Sequence, residues 1–192
     1  MNYLVPQRQF DEAMRQIERA QSLDPLSLAI RVSAGVVHHM AGNFVEAAAV
    51  VQRVVDADPS FPLAHYFLGS AFRDMGAADR ALASFDRAIK LSGGSPEMIA
   101  GMAQAYLCKG DNTSAERLEG ELRALRERRY VSPTLFAQIE AVRGDHEAAF
   151  ASLTRAAEAR DGELAFLNLR PAYRSLSGDP RYESLRLRIG LP

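Results

Sequence analysis

The stretch Gly42-Asn43-Phe44-Val45-Glu46-Ala47 returns 34 residues later as Gly76-Ala77-Ala78-Asp79-Arg80-Ala81. The glycine recurs at Gly110 and Gly144, and the alanine at Ala115 and Ala149, at the same spacing. Ala13 carries the alanine series one period back, to a point where Gln7-Arg8 stands in place of the glycine. Two series in register across four units do not arise by chance, so the chain is a repeat protein of period 34.

Each glycine sits where one amphipathic helix must stop and the chain must reverse. A residue at positive φ ends many helices, and glycine takes that conformation without a Cβ clash. The residues that follow start a second helix, which Asn43 and Asp111 are placed to cap. The alanine five residues after the glycine lies where two helices cross closely. Downstream, Ala47, Val51 and Val54 share a face, as do Ala81, Phe85 and Ala88, and Ala149, Leu153 and Ala156. Spacings of three and four place each set on one stripe. Asp24-Pro25 and Asp58-Pro59 end second helices, because proline disfavours the helical region at the preceding residue. Ser92-Gly93-Gly94-Ser95-Pro96 is read as a connector. No stretch alternates with a strand period.

The residues Leu68-Gly69, Phe72, Ala81, Phe85 and Ala88, with Ala34-Gly35, Ala47 and Pro59, resemble the tetratricopeptide repeat family. The resemblance covers about residues 3–161. It implies an all-α fold, a right-handed superhelical stack of antiparallel helix pairs, whose work is to bind proteins. First helices are expected at about 28–41, 62–75, 96–109 and 132–143. The expected organisation is a truncated first unit over 1–27, four units over 28–161, and a helical cap over 162–192. Three features depart from the family pattern. There is no tryptophan, Pro133 stands inside a first helix, and Glu119 occupies an apolar position. Glu119 predicts a second helix packed on a shifted face.

The two ends differ from the middle. Only Asn2 to Pro6 precede Gln7-Arg8, so most of one helix is missing from the first unit. The expectation is a chain cut from a longer protein, with Phe10, Met14 and Ile17 exposed and available for homo-oligomerisation. At the other end, Leu167, Leu169, Tyr173, Leu176, Tyr182, Leu185 and Ile189 are expected to cover the last unit. The segments Arg129-Tyr130-Val131-Ser132-Pro133 and Ser177-Gly178-Asp179-Pro180-Arg181-Tyr182, with the final Ile189-Gly190-Leu191-Pro192, resemble the C-terminal repeat region of bacterial multidomain signalling proteins. Winged-helix regulators, nucleotide cyclases and Ser/Thr kinases carry such regions, which implies an accessory or regulatory role.

Composition narrows the function. Formal net charge is −1, with 9 basic and 10 acidic residues over 1–96 and 14 of each over 97–192. That balance argues against a nucleic-acid binder. No apolar run approaches the ~20 residues of a membrane-spanning helix. Cys108 is the single cysteine, which excludes an internal disulfide and suits a reducing cytoplasm. It reads as a buried or half-buried structural thiol. Adjacent His38 and His39 point in different directions on a helix, and no histidine pair has zinc-hydrolase spacing, so no metal is expected. Neither a nucleophile elbow nor a phosphate loop occurs, and the reading is of a protein that is not an enzyme and takes no cofactor.

The expected ligand is a protein or peptide held on the concave face, which first helices line. Alignment on the glycines places Val36, His39, Met40, Tyr66, Phe67, Ser70, Arg73, Asp74, Gln104 and Gln138 there, with Val32, Leu63, Glu97, Ala100, Cys108, Thr134 and Ala141 beside them. Aromatics and arginine are the types that dominate binding energy. A clamp for a chaperone C-terminal carboxylate is excluded, since its positions hold Val32, Val36, Phe67, Glu97 and Gly101.

Overall fold

The computed structural model describes residues 3–191, and every regular element among them is helical. The chain divides into two compact units, Met1–Gly94 and Ser95–Pro192, at the Gly93-Gly94 connector.

The first unit holds α1 (Phe10–Leu23), α2 (Leu28–Met40), α3 (Phe44–Ala57), α4 (Pro62–Asp74) and α5 (Ala78–Ser92). Consecutive helices pack on one another, α1 on α2, α2 on α3, α3 on α4 and α4 on α5. The glycine turns behave as their spacing requires. Gly42 has φ 86° and Gly76 φ 79°, both left-handed. Arg8 occupies the equivalent place with φ 60°, so the turn geometry persists where the glycine does not. An arginine there bears the steric strain that glycine avoids. The crossing alanines Ala13, Ala47 and Ala81 are all essentially inaccessible.

Two glycines one period apart let the helices of each pair approach. A Cβ on Gly35 would stand 2.3 Å from Val51 Cγ2, and one on Gly69 would stand 3.1 Å from the Phe85 ring. The sequence therefore spends its smallest side chains on the inner faces of first helices and its larger ones on the second helices that meet them.

The second unit begins with α6 (Pro96–Lys109), α7 (Asn112–Arg126), α8 (Pro133–Arg143) and α9 (His146–Glu158). Gly110 and Gly144 repeat the left-handed turn at φ 83° and 87°. Pro62, Pro96 and Pro133 all stand at the first position of their helices, where no N–H is needed. Pro133 is thus no defect.

Glu119 corrects the expectation of a shifted face. The buried residues of α7 are Ala115, Leu118, Glu119 and Leu122, one period after Ala81, Ser84, Phe85 and Ala88 of α5. The register is unchanged because the carboxylate is neutralised in place. Arg123 donates from the same helix and Arg143 from α8.

The C-terminal segment runs through two 3₁₀ stretches, Gly162–Leu169 and Pro171–Leu176, into α10 (Pro180–Arg188). Leu167, Tyr173, Leu176, Tyr182 and Leu185 form one apolar cluster with Ala149, Phe150, Leu153 and Ala156 of α9, and Ile189 packs against it. Leu169 is buried as well. Two phenols meet the need of buried hydroxyls for partners. Tyr173 donates to the Thr134 carbonyl at 3.2 Å, and Tyr182 to the Leu167 carbonyl at 3.1 Å. Burial pushes the Tyr182 phenol up to about 12. Arg181 bridges Asp179 and Glu147 and stacks over Phe150 at 4.3 Å, which fastens α10 to α9.

A candidate interaction face on the first helices

The face expected to hold a ligand divides into buried and accessible parts. In α4, Leu63, Tyr66, Phe67 and Ser70 lie at intervals of three and four, on one stripe. Leu63 is 44% exposed, Tyr66 and Phe67 are half-buried, and Ser70 is buried, its hydroxyl donating to the Tyr66 carbonyl at 3.0 Å. Tyr66 meets Phe67 edge to face with centroids 5.0 Å apart, and its other side lies 6.0 Å from the core ring of Phe85. The core thus fixes Tyr66, and Tyr66 orients Phe67. The result is an aromatic ledge on the stripe of α4 that also carries exposed Leu63.

His39, Arg73 and Asp74 form a buried network between α2 and α4. His39 Nε2 lies 2.7 Å from Asp74 Oδ2, and Arg73 Nε donates to Asp74 Oδ1 at 2.8 Å. Arg73 Nη2 adds a second bond, to Asp74 Oδ2, at 2.9 Å. Side chains of Arg73 and Asp74 are each only 8% exposed. Burial by itself would raise the Asp74 carboxyl, but the Arg73 charge and the bonds from His39 and Arg73 outweigh it and hold the group well below the usual carboxylate range. His39 also stacks against Phe44 at 5.3 Å. The residue pair His39 and Asp74 is one period plus one residue apart, so the network ties one helix pair to the next.

The other anticipated residues are placed as follows. Val32, Val36 and Met40 are buried in the first unit. In the second unit Gln104, Gln138, Thr134, Ala100 and Ala141 are buried, and Glu97 is exposed with Ser95 donating to it. Cys108 is exposed, which corrects its reading as a buried or half-buried thiol: it sits at the outer end of α6, beyond the last core residue Ala105. The exposed patch expected around Phe10, Met14 and Ile17 is also corrected. Ile17 is 7% exposed and Phe10 and Met14 are half-buried, because α1 packs on α2. Val5, in the turn before α1, is fully buried too.

A tetratricopeptide repeat model matches residues 2–62 and 46–96, which together span the first unit and the start of the second. Residues 2–96 therefore belong to the tetratricopeptide repeat family. For the remainder, fold is the link. Twenty chains of solved structures match. One is a tetratricopeptide repeat protein from Parabacteroides merdae ATCC 43184, with a TM-score of 0.55 and 13% identity, covering 98% of this chain and 75% of that one. No curated protein matches the sequence. Tetratricopeptide repeats mediate protein–protein interaction, and no helix among the described residues is long and apolar enough to cross a membrane.

Proposed function

We propose that the chain is a non-catalytic interaction module that holds a peptide or a neighbouring protein domain on the face of its first helices. The observation that carries this is the ledge of Leu63, Tyr66 and Phe67. Large apolar side chains kept half-exposed, and held rigid by contact with the core, lose little entropy on meeting a partner. Aromatic anchors of this kind dominate interface energies. The buried His39–Asp74–Arg73 network gives the ledge a fixed base. Gln104 and Gln138 support their own helix packing in the second unit in this reading, and serve a ligand through it.

A photo-crosslinking residue at Leu63, compared with one at exposed Val45 on α3, tests this. The partner retrieved through Leu63 should bind the purified chain, and Leu63→Asp with Phe67→Ala should remove that binding without lowering the melting temperature. Retrieval through Val45 alone, or binding indifferent to the double substitution, moves the site elsewhere.

A second reading rests on the segments Arg129–Pro133 and Ser177–Tyr182, and it is compatible with the first. In this reading the module is the accessory end of a larger signalling protein in the bacterial cytoplasm. Asp161 accepts from Tyr130 at 3.1 Å and also from Ser132, so the connector before α8 is tied to the start of the C-terminal segment as one ordered piece. A native protein of 21.1 kDa on a blot from its source cells would remove this reading, and a larger species supports it.

A further inference from the structure

The second helices of the first unit form another surface, and it differs in chemistry from the ledge. A groove of about 430 Å³ opens between α1 and α3 over α2, lined by Gln21, Pro25, Arg31, Val50, Arg53 and Val54. A second, of about 340 Å³, opens between α3 and α5 over α4. The two are repeat images of one another. Arg53 in the first groove corresponds to Arg87 in the second, Val50 to Ser84, Gln21 to Val55, and Arg31 to His65, each 34 residues on.

Neither lining contains a carboxylate. Each groove carries two arginines, Arg31 and Arg53 in the first, Arg80 and Arg87 in the second. Arg31 is occupied with the Pro25 carbonyl at 2.6 Å. The Arg80 guanidinium sits over the Phe72 ring at 3.8 Å from its centroid, a cation–π contact. Arg53 and Arg87 are exposed, and neither forms an ion pair among the described residues. On the same helices Asp86 pairs with Lys90 at 2.6 Å and Asp56 accepts from Gln52 at 2.9 Å. Half-buried apolar side chains share the linings with the arginines, Val50 in the first groove and Val55 in the second, where buried Leu68 and Phe72 also line the wall.

We infer that this face binds an acidic peptide segment laid in extended form across both grooves, its carboxylates on Arg53 and Arg87 and its apolar side chains against Val50 and Val55. Charge complementarity selects the occupant. Two guanidinium groups one repeat apart, separated by apolar contact, match carboxylates interspersed with apolar side chains. The carboxylates of Asp56 and Asp86 on the same helices disfavour a ligand charged at every position, as a phosphate backbone is. The surface is separate from the ledge on α4, so this proposal stands or falls apart from the one above.

The test uses the full chain and a fluorescein-labelled peptide of about twelve alternating glutamates and leucines, long enough at about 40 Å to cross both grooves. Fluorescence anisotropy at low salt should show saturable binding that weakens as salt rises. Arg53→Gln and Arg87→Gln should each weaken it about fivefold to tenfold, and together abolish it at accessible concentrations. Arg128→Gln, an exposed arginine of the second unit, should leave it unchanged. The same peptide with glutamine for glutamate, or with serine for leucine, should bind far more weakly. Four results overturn the proposal: equal binding of the glutamine peptide, binding indifferent to both arginine substitutions, binding lost through Leu63→Asp with Phe67→Ala but not through the arginines, or tighter binding of an RNA oligonucleotide of the same charge. Since both arginine side chains lie on the surface, an unchanged circular dichroism melt for their variants certifies that any loss is one of contact.

Discussion

Both units bury carboxylates at contacts between helices, and one of the three, Glu140, is treated differently from the others. In the first, Asp74 is met on both oxygens, by Arg73 and by His39. In the second, Glu119 is met by Arg123 and Arg143, but its neighbour Glu140 keeps one buried oxygen, Oε2, without a partner. Burial pushes the Glu140 carboxyl up; a bond from Ser152 opposes this, and the charge of Glu119 adds to it. The lesson is that burial alone does not set the sign of a charged group's contribution. A buried carboxylate with two donors favours the folded state when ionised, and one without them disfavours it.

The largest effect should come from breaking the contacts of Asp74. Asp74→Ala leaves the Arg73 guanidinium buried without its counter-ion and should cost about 3–5 kcal/mol in denaturant unfolding. A loss under about 1 kcal/mol would show that Arg73 finds water or another acceptor instead, a value typical of exposed pairs.

Next come the crossings. Ala81→Leu should cost about 1–3 kcal/mol, because Ala81 has no exposed surface and the α4–α5 contact has no room for added atoms. Gly35→Ala tests the same packing through Val51 Cγ2 and should cost a comparable amount, about 1–3 kcal/mol. Wild-type melting for both would mean that the helices separate readily.

Cap chemistry sharpens the contrast between units. Asp111, Ser132, Asp145, Asp161 and Asp179 all accept N-cap bonds with their side chains in the second unit. In the first only Ser27 does, at a long 3.5 Å, and Asn43 makes no such bond. Asp111→Ala should therefore cost about 1 kcal/mol, while Asn43→Ala should cost less than half of that. Equal losses would show that Asn43 caps its helix in solution.

The smallest effect is a gain. Glu140→Gln removes an ionised group that the fold disfavours and should raise stability at pH 7 by up to about 1 kcal/mol. The pH dependences of the two carboxylates have opposite signs. The Asp74 group is held low, so its contribution is whole above the unfolded value of about 4 and is lost as pH falls from there toward the folded value. The Glu140 group is raised, so its penalty is full above its folded value and fades as pH falls toward about 4. Denaturation at a series of pH values should show the Asp74→Ala deficit shrinking in acid below pH ~4, and the Glu140→Gln advantage, present at neutral pH, closing as pH falls toward ~4. Deficits constant with pH would break the comparison.

The helix layout was legible because it rests on local rules. A left-handed glycine every 34 residues, an alanine at each crossing and a stripe of apolar residues specify helix ends and buried faces without knowledge of what lies opposite. First helices accordingly begin at Leu28, Pro62, Pro96 and Pro133. Even Arg8, which lacks the glycine signal, keeps the turn, since the helices on either side of a turn constrain it as firmly as the residue within it.

What the sequence alone determined is the period, the helical class and the buried stripes of α3, α5 and α9, all set by backbone preference and spacing along one chain. Only the tertiary structure decided which polar groups meet. Glu119 looked like a packing fault until Arg143 came to it from another helix, and Asp74 read as a groove residue until His39 met it from α2. The physical reason is range. Helix periodicity is written in neighbours three and four residues apart, whereas an ion pair depends on partners 24 or 35 residues away, and on a desolvation that no local pattern records.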